Sequence, residues 1–322
     1  DGLNVSGNTR DLVVIGLGKS ELEDYFRRAA ARRNLTVRNE PTPQAGYYYR
    51  SDHFSLAKFG VPMLYGEGGE DLVLEVGSRV RGNHGGALFV GARAGAALHA
   101  GPLPGLACVQ DSKPEADALA RAGFEVALEP PAGRFPLVML LPPRQREQSR
   151  AQFARALQAL APGGVVLAAM PNREGAKSGE ADLAQLAGPL HTLSKHHCRV
   201  FWTRPLDAAA DPALVDAWSR LDAPRRIADP RVPGGGFLSR PGVFAWDRID
   251  PASLLLAAHL PSDLHGRVAD LGAGWGYLAG QVLARCPQVA ALDLYEADAR
   301  ALELARANLA AWGAGVPLGF HW

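Results

Sequence analysis

Apolar and polar positions along the chain sort into three blocks of strands and helices. In the first, DLVVIGLG (11–18) is a short continuous apolar run that predicts a buried strand. SELEDYFRRAAARR (20–33) predicts a helix opened by a capping box of Ser20 and Glu23. YYYRSDHFSLAKFGVPMLYGEGG (47–69) reads as loop, short helix and strand, punctuated by Gly60 and Pro62, and a polar, glycine-rich stretch, SRVRGNHGG (78–86), comes next.

The second block runs from about 83 to 225. ALFVGARAGAALH (87–99) is strand, glycine turn, helix; EADALARAGFEVAL (115–128) is helix, a stop at Gly123, and strand. FPLVMLLPPRQ (135–145) is a strand closed by a double proline, and a helix over about 147–160 leads to the strand APGGVVLAAM (161–170). Strands alternating with helices predict a parallel, doubly wound α/β sheet. A Pro/Gly-rich linker, IADPRVPGGGFLS (227–239), introduces the third block. There SLLLAAHL (253–260) predicts a helix, RVADLGAGWGYLAGQVLARC (267–286) a strand, glycine turn and helix, and VAALDLYEADARALELARANLAAWGA (289–314) a strand, helix and stop at Gly313. Its opening repeats that of the second block with a fuller glycine pattern, as in a duplicated unit whose first copy has decayed.

Composition narrows the class without deciding the function. The 322 residues are 47% hydrophobic and 21% charged, an ordinary globular balance. A net charge of +1 gives no global basic field for nucleic acid. Three cysteines, odd in number and far apart, suit a reducing compartment better than a disulfide framework. No apolar run approaches the length of a membrane span.

The chemistry concentrates in VADLGAGWGYLA (268–279). Ligands of α/β sheets sit at the carboxyl ends of strands, where helix N-termini offer free N–H groups and glycines let the backbone come close. A dinucleotide site has the order G-x-G-x-x-G. Here Gly272, Gly274 and Gly276 alternate, and Asp270 precedes them. A carboxylate there repels a pyrophosphate and welcomes an ammonium group. Glu296 ends the second strand, where an acid accepts both ribose hydroxyls. It is preferred to Asp293 because it stands at the strand-to-helix junction. An amino acid joined to a ribose describes S-adenosylmethionine. A plain tight turn with an N-capping acid, or an NAD site, are the alternatives.

With these motifs, residues 83–322 resemble the bacterial small-subunit ribosomal RNA guanine-N2 methyltransferases. SRPGVFAWDRIDPASLLLAAHL (239–260), VADLGAGWGYLA and the layout of the second block, including NREGAKSGEADL (172–183), carry the likeness. It implies tandem Rossmann-like domains, a degenerate one over 83–226 and a cofactor-binding one over 237–322, which ends before its fourth strand. Carried over, Asp270, Gly272, Gly274 and Gly276 line the methionine end of the cofactor, and Glu296 holds the ribose. Phe244, Asp250 and Ser253 match the family's P-G-V-F…D-x-x-S segment beside the cofactor; core packing and helix capping are the plainer roles for Phe244 and Ser253.

The family's catalytic Asn-Pro-Pro-Phe segment is not in the sequence, and PLVMLLPPR in the second block has Leu141 where Asn is required. No catalytic residue is therefore named. Residues 1–72 in turn resemble the last part of zinc-dependent aminopeptidase catalytic domains, through DGLN and RSDHFSLAKFGVPMLYGEGG. That likeness implies a metal ligand at Asp1 and a nearby Ser51–Asp52–His53 segment, but His84 lacks the acidic residues that come after the family's last ligand. One ligand does not hold zinc, so no metal site is expected.

Three weaker signals carry no weight. KHHCR (195–199) is expected to lie on a strand, where adjacent donors point apart; GAKS (175–178) lacks the glycine and lysine placement of a phosphate loop; PPRQREQSR (142–150) reads as a solvated helix start. The expectation is a cytoplasmic, S-adenosylmethionine-dependent methyltransferase acting on ribosomal RNA or the small ribosomal subunit, with no membrane partner. A metallopeptidase-like fragment (1–72) is expected in front, on the hypothesis that the chain joins the tail of one protein to most of another, naturally or otherwise. The rivals are a zinc metallopeptidase fragment and a non-catalytic cofactor- or RNA-binding protein.

Overall fold

The computed structural model describes residues 11–14, 36–39, 73–74, 76–77, 86–95, 98, 105–195, 197–310 and 315–322. Contacts divide the chain into two units, Asp1–Glu67 and Gly68–Trp322. In the first, β1 (Asp11–Val14) falls where DLVVIGLG predicts a strand, and it pairs in parallel with β2 (Thr36–Asn39). The helix expected over 20–33 with its Ser20–Glu23 box, Asp1, the Ser51–Asp52–His53 segment, His84 and the stop at Gly313 lie outside the described residues.

The second unit contains a seven-stranded sheet. Its strands are β3 (Ala87–Val90), β4 (Leu106–Val109), β5 (Val126–Ala127), β6 (Phe135–Leu140), β7 (Leu160–Pro171), β8 (Leu190–Lys195) and β9 (Cys198–Thr203), in the order β5-β4-β3-β6-β7-β9-β8. All the pairings run parallel except those of β9, which is antiparallel to both neighbours. The continuous apolar runs of β3 and β6 suit central strands covered on both faces. Their residues alternate between two cores: Leu88, Val138 and Leu140 pack with Phe153, Leu183 and Phe201 on one face, while Phe89, Leu137 and Met139 pack with Leu98, Leu167 and Val200 on the other.

Helices α1 (Lys113–Arg121), α2 (Arg146–Gln158), α3 (Ala176–Ala187) and α4 (Pro212–Trp218) also belong to this part. The doubly wound sheet is thus as the alternation predicts. The β8–β9 hairpin is not, and KHHCR, expected on a strand, spans its turn, with His197 in the left-handed region at φ 59° and His196 outside the described residues.

A second departure concerns 227–239. Instead of an open linker, β10 (Arg225–Ala228) and β11 (Gly236–Ser239) form an antiparallel hairpin. Two contacts fix it to the rest of the third block. Phe237 stacks on Trp275 with ring centroids 3.8 Å apart and 3° between planes. The Asn308 amide accepts from Leu238 N at 2.7 Å and donates to Leu238 O at 3.0 Å and Trp275 O at 2.9 Å, so a segment rich in Pro and Gly becomes ordered by partners distant in sequence. Then come α5 (Pro251–Ala258), β12 (His265–Leu271), α6 (Tyr277–Arg285), β13 (Gln288–Tyr295), α7 (Ala299–Leu309) and β14 (Leu318–His321). β12, β13 and β14 make a parallel three-stranded sheet in that order. Among the described residues no helix is long and apolar enough to cross a membrane.

One charge cluster anchors the helices of the larger sheet. Asp182 is 1% exposed and accepts from Arg146 Nε and Nη2, both at 2.9 Å, and from Arg150 Nη2 at 2.8 Å. Burial works to raise its pKa, but the two guanidinium groups outweigh it and hold the carboxyl below its ordinary value. A depressed native value contributes stability that is present above the unfolded value and lost as the pH falls through the native one. Asp182→Ala is therefore expected to lower stability by about 2 kcal/mol at neutral pH, the scale of charged hydrogen bonds. In denaturant titrations the gap from the parent should close in acid.

Candidate functional site

The glycine turn takes its place from the pairing of β12 with β13. In that register Asp270 lies opposite Leu294 and Leu271 opposite Tyr295, so both strands end together. The chain leaving β12 is then caught by the neighbouring strand: Gly272 N and Ala273 N both donate to Tyr295 O, at 2.8 and 3.1 Å. Gly272, Gly274 and Gly276 have φ of 75°, 54° and 92°, a region that disfavours side chains. Their surroundings differ. A Cβ on Gly276 would meet Ala305 and Leu309 at 3.3 Å, so this glycine lets α6 pack closely on α7. A Cβ on Gly272 or Gly274 would meet nothing within 4 Å, so the space in front of those two is open.

Asp270 and Glu296 flank that opening. Gly276, the N-cap of α6, has no side chain to give, and Asp270 Oδ2 caps the helix in its place by accepting from Ala279 N at 3.0 Å. Glu296 reaches across the turn: its Oε2 accepts from Gly274 N at 2.7 Å and its Oε1 from Asp298 N at 2.8 Å. Each carboxylate keeps acceptor capacity beyond these bonds. Burial pushes the Asp270 pKa up and the nearby Glu296 charge adds to the rise, while the Ala279 N–H opposes it. The other acid considered, Asp293, is engaged by Arg267 Nη2 at 2.9 Å and His321 Nε2 at 3.0 Å. The flanks are open: Leu271 is 78% exposed, and Tyr295 lies stacked on His321 with ring centroids 4.5 Å apart.

The remaining candidates lie on a segment that packs against Trp275 and Tyr277 through Val243 and Ile249. Asp250 is the N-cap of α5, and its Oδ2 accepts from Ser253 N at 2.9 Å and Ser253 Oγ at 3.2 Å, so these two residues cap a helix together. Phe244 is 72% exposed and lines a cavity of about 480 Å³ with Pro143, Arg144 and Trp246, between the LPPR turn and the residues after β11. Among the described residues no hydrogen bond joins Phe244, Asp250 or Ser253 to Asp270 or Glu296. A second cavity, of about 120 Å³, lies behind the glycine turn against Phe237 and Asn308.

Sequence reasoning missed Asp298 and Arg300. Asp298 caps α7, with its Oδ1 accepting from Arg300 N at 2.9 Å, and an aspartate directly before a helical pattern was signal enough to find it. Arg300 pairs with Asp111 of the larger sheet at 2.8 Å, a long-range contact with no local signature.

Residues 234–318 match the methyltransferase small domain family, and residues 1–80 match peptidase family M28. The chain is 33% identical over 183 residues to ribosomal RNA small subunit methyltransferase C of Pseudomonas aeruginosa (strain UCBPP-PA14), covering 57% of this chain and 53% of that protein. The protein of the same name from Stutzerimonas stutzeri (strain A1501) is 33% identical over 199 residues, 60% of this chain and 55% of that one. The chain thus spans about half the length of the curated relatives it matches. Among solved structures, the T. Thermophilus 16S rRNA N2 G1207 methyltransferase in complex with AdoMet and guanosine matches with a TM-score of 0.62 at 22% identity, over 79% of this chain and 69% of that one. The chain therefore has the mixed α/β fold of the Rossmann-like methyltransferases, and over more than half its length it is similar to the ribosomal RNA small subunit methyltransferase C proteins.

Proposed function

We propose that the turn at 270–276 and Glu296 bind S-adenosylmethionine, in a protein that methylates the exocyclic N2 of a guanine in small-subunit ribosomal RNA. The observation that carries this reading is the convergence of two carboxylates on one open glycine turn. The donor set fits the cofactor. Asp270 offers a carboxylate for an ammonium group, Glu296 offers acceptors for ribose hydroxyls, and Gly272 and Gly274 leave room for both. The cofactor supplies an electrophilic methyl group on a sulfonium. Around it, Asp270 orients the amino-acid end while capping α6, and Glu296 orients the sugar while bracing Gly274. No residue of this chain is assigned a part in the transfer itself. The similarity to the methyltransferase C proteins supports ribosomal RNA as the partner and the cytoplasm as the place. Phe244, Asp250 and Ser253 enter this reading as the segment beside the cofactor, with Asp250 and Ser253 setting the start of α5.

The match of residues 1–80 to peptidase family M28 favours a second reading, a metallopeptidase remnant. Release of an N-terminal amino acid that depends on added zinc would support it.

Calorimetric titration with S-adenosylhomocysteine, which keeps both the amino acid and the ribose, tests the first reading. Asp270→Ala and Glu296→Ala are each expected to weaken binding by roughly ten- to a hundredfold, the scale of one charge-assisted hydrogen bond. Parent binding that survives unchanged in both variants would exclude this turn as the site.

The pH dependence has a definite sign. A ligand ammonium favours the ionised form of Asp270, whose pKa in the ligand-free protein is raised. Affinity is therefore expected to fall as the pH drops through that raised value, and Asp270→Asn should abolish this acid limb. In the ligand-free protein the same shift contributes stability at low pH that is lost as the pH rises through the native value.

A further inference from the structure

The loop that carries Glu296 is gripped from the larger sheet. Where β4 ends, the buried Gln110 fixes the adjoining turn: its Nε2 donates to Ala92 O at 2.8 Å and its Oε1 accepts from Ser112 N at 2.9 Å. From that turn the contacts run to the residues directly after Glu296. Lys113 N donates to Ala297 O at 2.8 Å, Ala299 N donates to Asp111 O at 2.9 Å, and Ser112 bridges Asp298 in antiparallel fashion. The side chains repeat the connection. Arg300 Nε meets the Asp111 carboxylate at 2.8 Å and Arg300 Nη2 meets Asp298 at 2.7 Å, with only 18% of the Arg300 side chain exposed. Trp322 closes the other side, its indole N–H donating to Ala297 O at 2.9 Å and lying 3.3 Å from Asp111 O.

These bonds lead into the site without a gap. Asp298, pinned by Arg300 and bridged to Ser112, donates its N–H to Glu296, and Glu296 accepts from Gly274 with its other oxygen. We propose that Asp111 is a positioning residue for the cofactor site: through Arg300 and the 297–299 backbone it holds the Glu296 carboxylate against Gly274, so that one site is built from both sheets. The physical gain is preorganisation. A loop already fixed loses less conformational freedom when a ligand arrives, and that saving appears as affinity. The cofactor part of this inference rests on the proposed binding of S-adenosylmethionine at the turn; the positioning part does not.

Amide hydrogen exchange on the whole chain tests it without any ligand. Asp111→Ala is expected to speed exchange at the Gly274 and Asp298 amides, both donors to Glu296, by roughly tenfold or more. The Ala279 amide, held by Asp270, should keep its parent rate. Asp111→Asn still offers an acceptor to Arg300 and is expected to recover most of the protection. The double variant Asp111→Ala/Arg300→Met removes the half-buried guanidinium together with its Asp111 partner, leaves Asp298 the bond from the backbone N of residue 300, and should show at least the local loosening of the single one. Unchanged exchange at Gly274 and Asp298 would overturn the proposal, and so would equal loosening at Ala279, which would make Asp111 a general structural residue. A parallel titration with S-adenosylhomocysteine should show about tenfold weaker binding for Asp111→Ala. Local loosening together with parent-like affinity would overturn the claim that Asp111 serves the cofactor. A parent that binds no S-adenosylhomocysteine would instead sink the reading of the turn, while the exchange rates still decide the positioning claim.

Discussion

The Tyr295 carbonyl takes two N–H groups from the turn that leaves β12, and this one acceptor sets the geometry of the site. It requires that β12 and β13 run in parallel and end in the same plane, which their register provides. Given that plane, the residues that leave the two strands must lie side by side, and Asp270 and Glu296 flank one turn although they stand far apart in the chain. Gly272 and Gly274 meet the same demand, because the chain has to reverse over a very short path to start α6. Gly276 answers a different one, the close approach of α6 to α7.

Two carboxylates near one another and half out of water are costly, and the site shows how they are retained. Backbone N–H groups bond to both: Ala279 to Asp270, Gly274 and Asp298 to Glu296. The compensation at Asp270 is incomplete, since burial and the Glu296 charge still raise its pKa. A ligand that brings a positive charge relieves that residual cost, whereas one that brings a pyrophosphate deepens it. Of the two cofactor classes that a glycine pattern alone leaves open, the electrostatics of the turn thus suit the cationic one proposed above.

Much of this is legible in the residues and some is not. The strands β3, β6, β7, β12 and β13 announce themselves as apolar runs, and Asp270, the three glycines and Glu296 announce the turn, because each of these signals is local. The hairpin over 225–239 reads as a linker because Phe237 finds Trp275, and Leu238 finds Asn308, only after the chain has folded. The Asp111–Arg300 pair escapes for the same reason: neither residue has a local motif, and only packing of the two sheets brings them together. Asp250 and Ser253, matched through a family segment, turn out to satisfy each other as a helix cap, a role that sequence spacing already allows.

The measurement that bears most directly on the central claim is a crystal structure of this chain grown with S-adenosylhomocysteine. The ligand is expected over Gly272 and Gly274, with its amino group on the Asp270 side and its ribose on the Glu296 side. Ligand density elsewhere, as in the cavity beside Phe244 and Trp246, would contradict that claim.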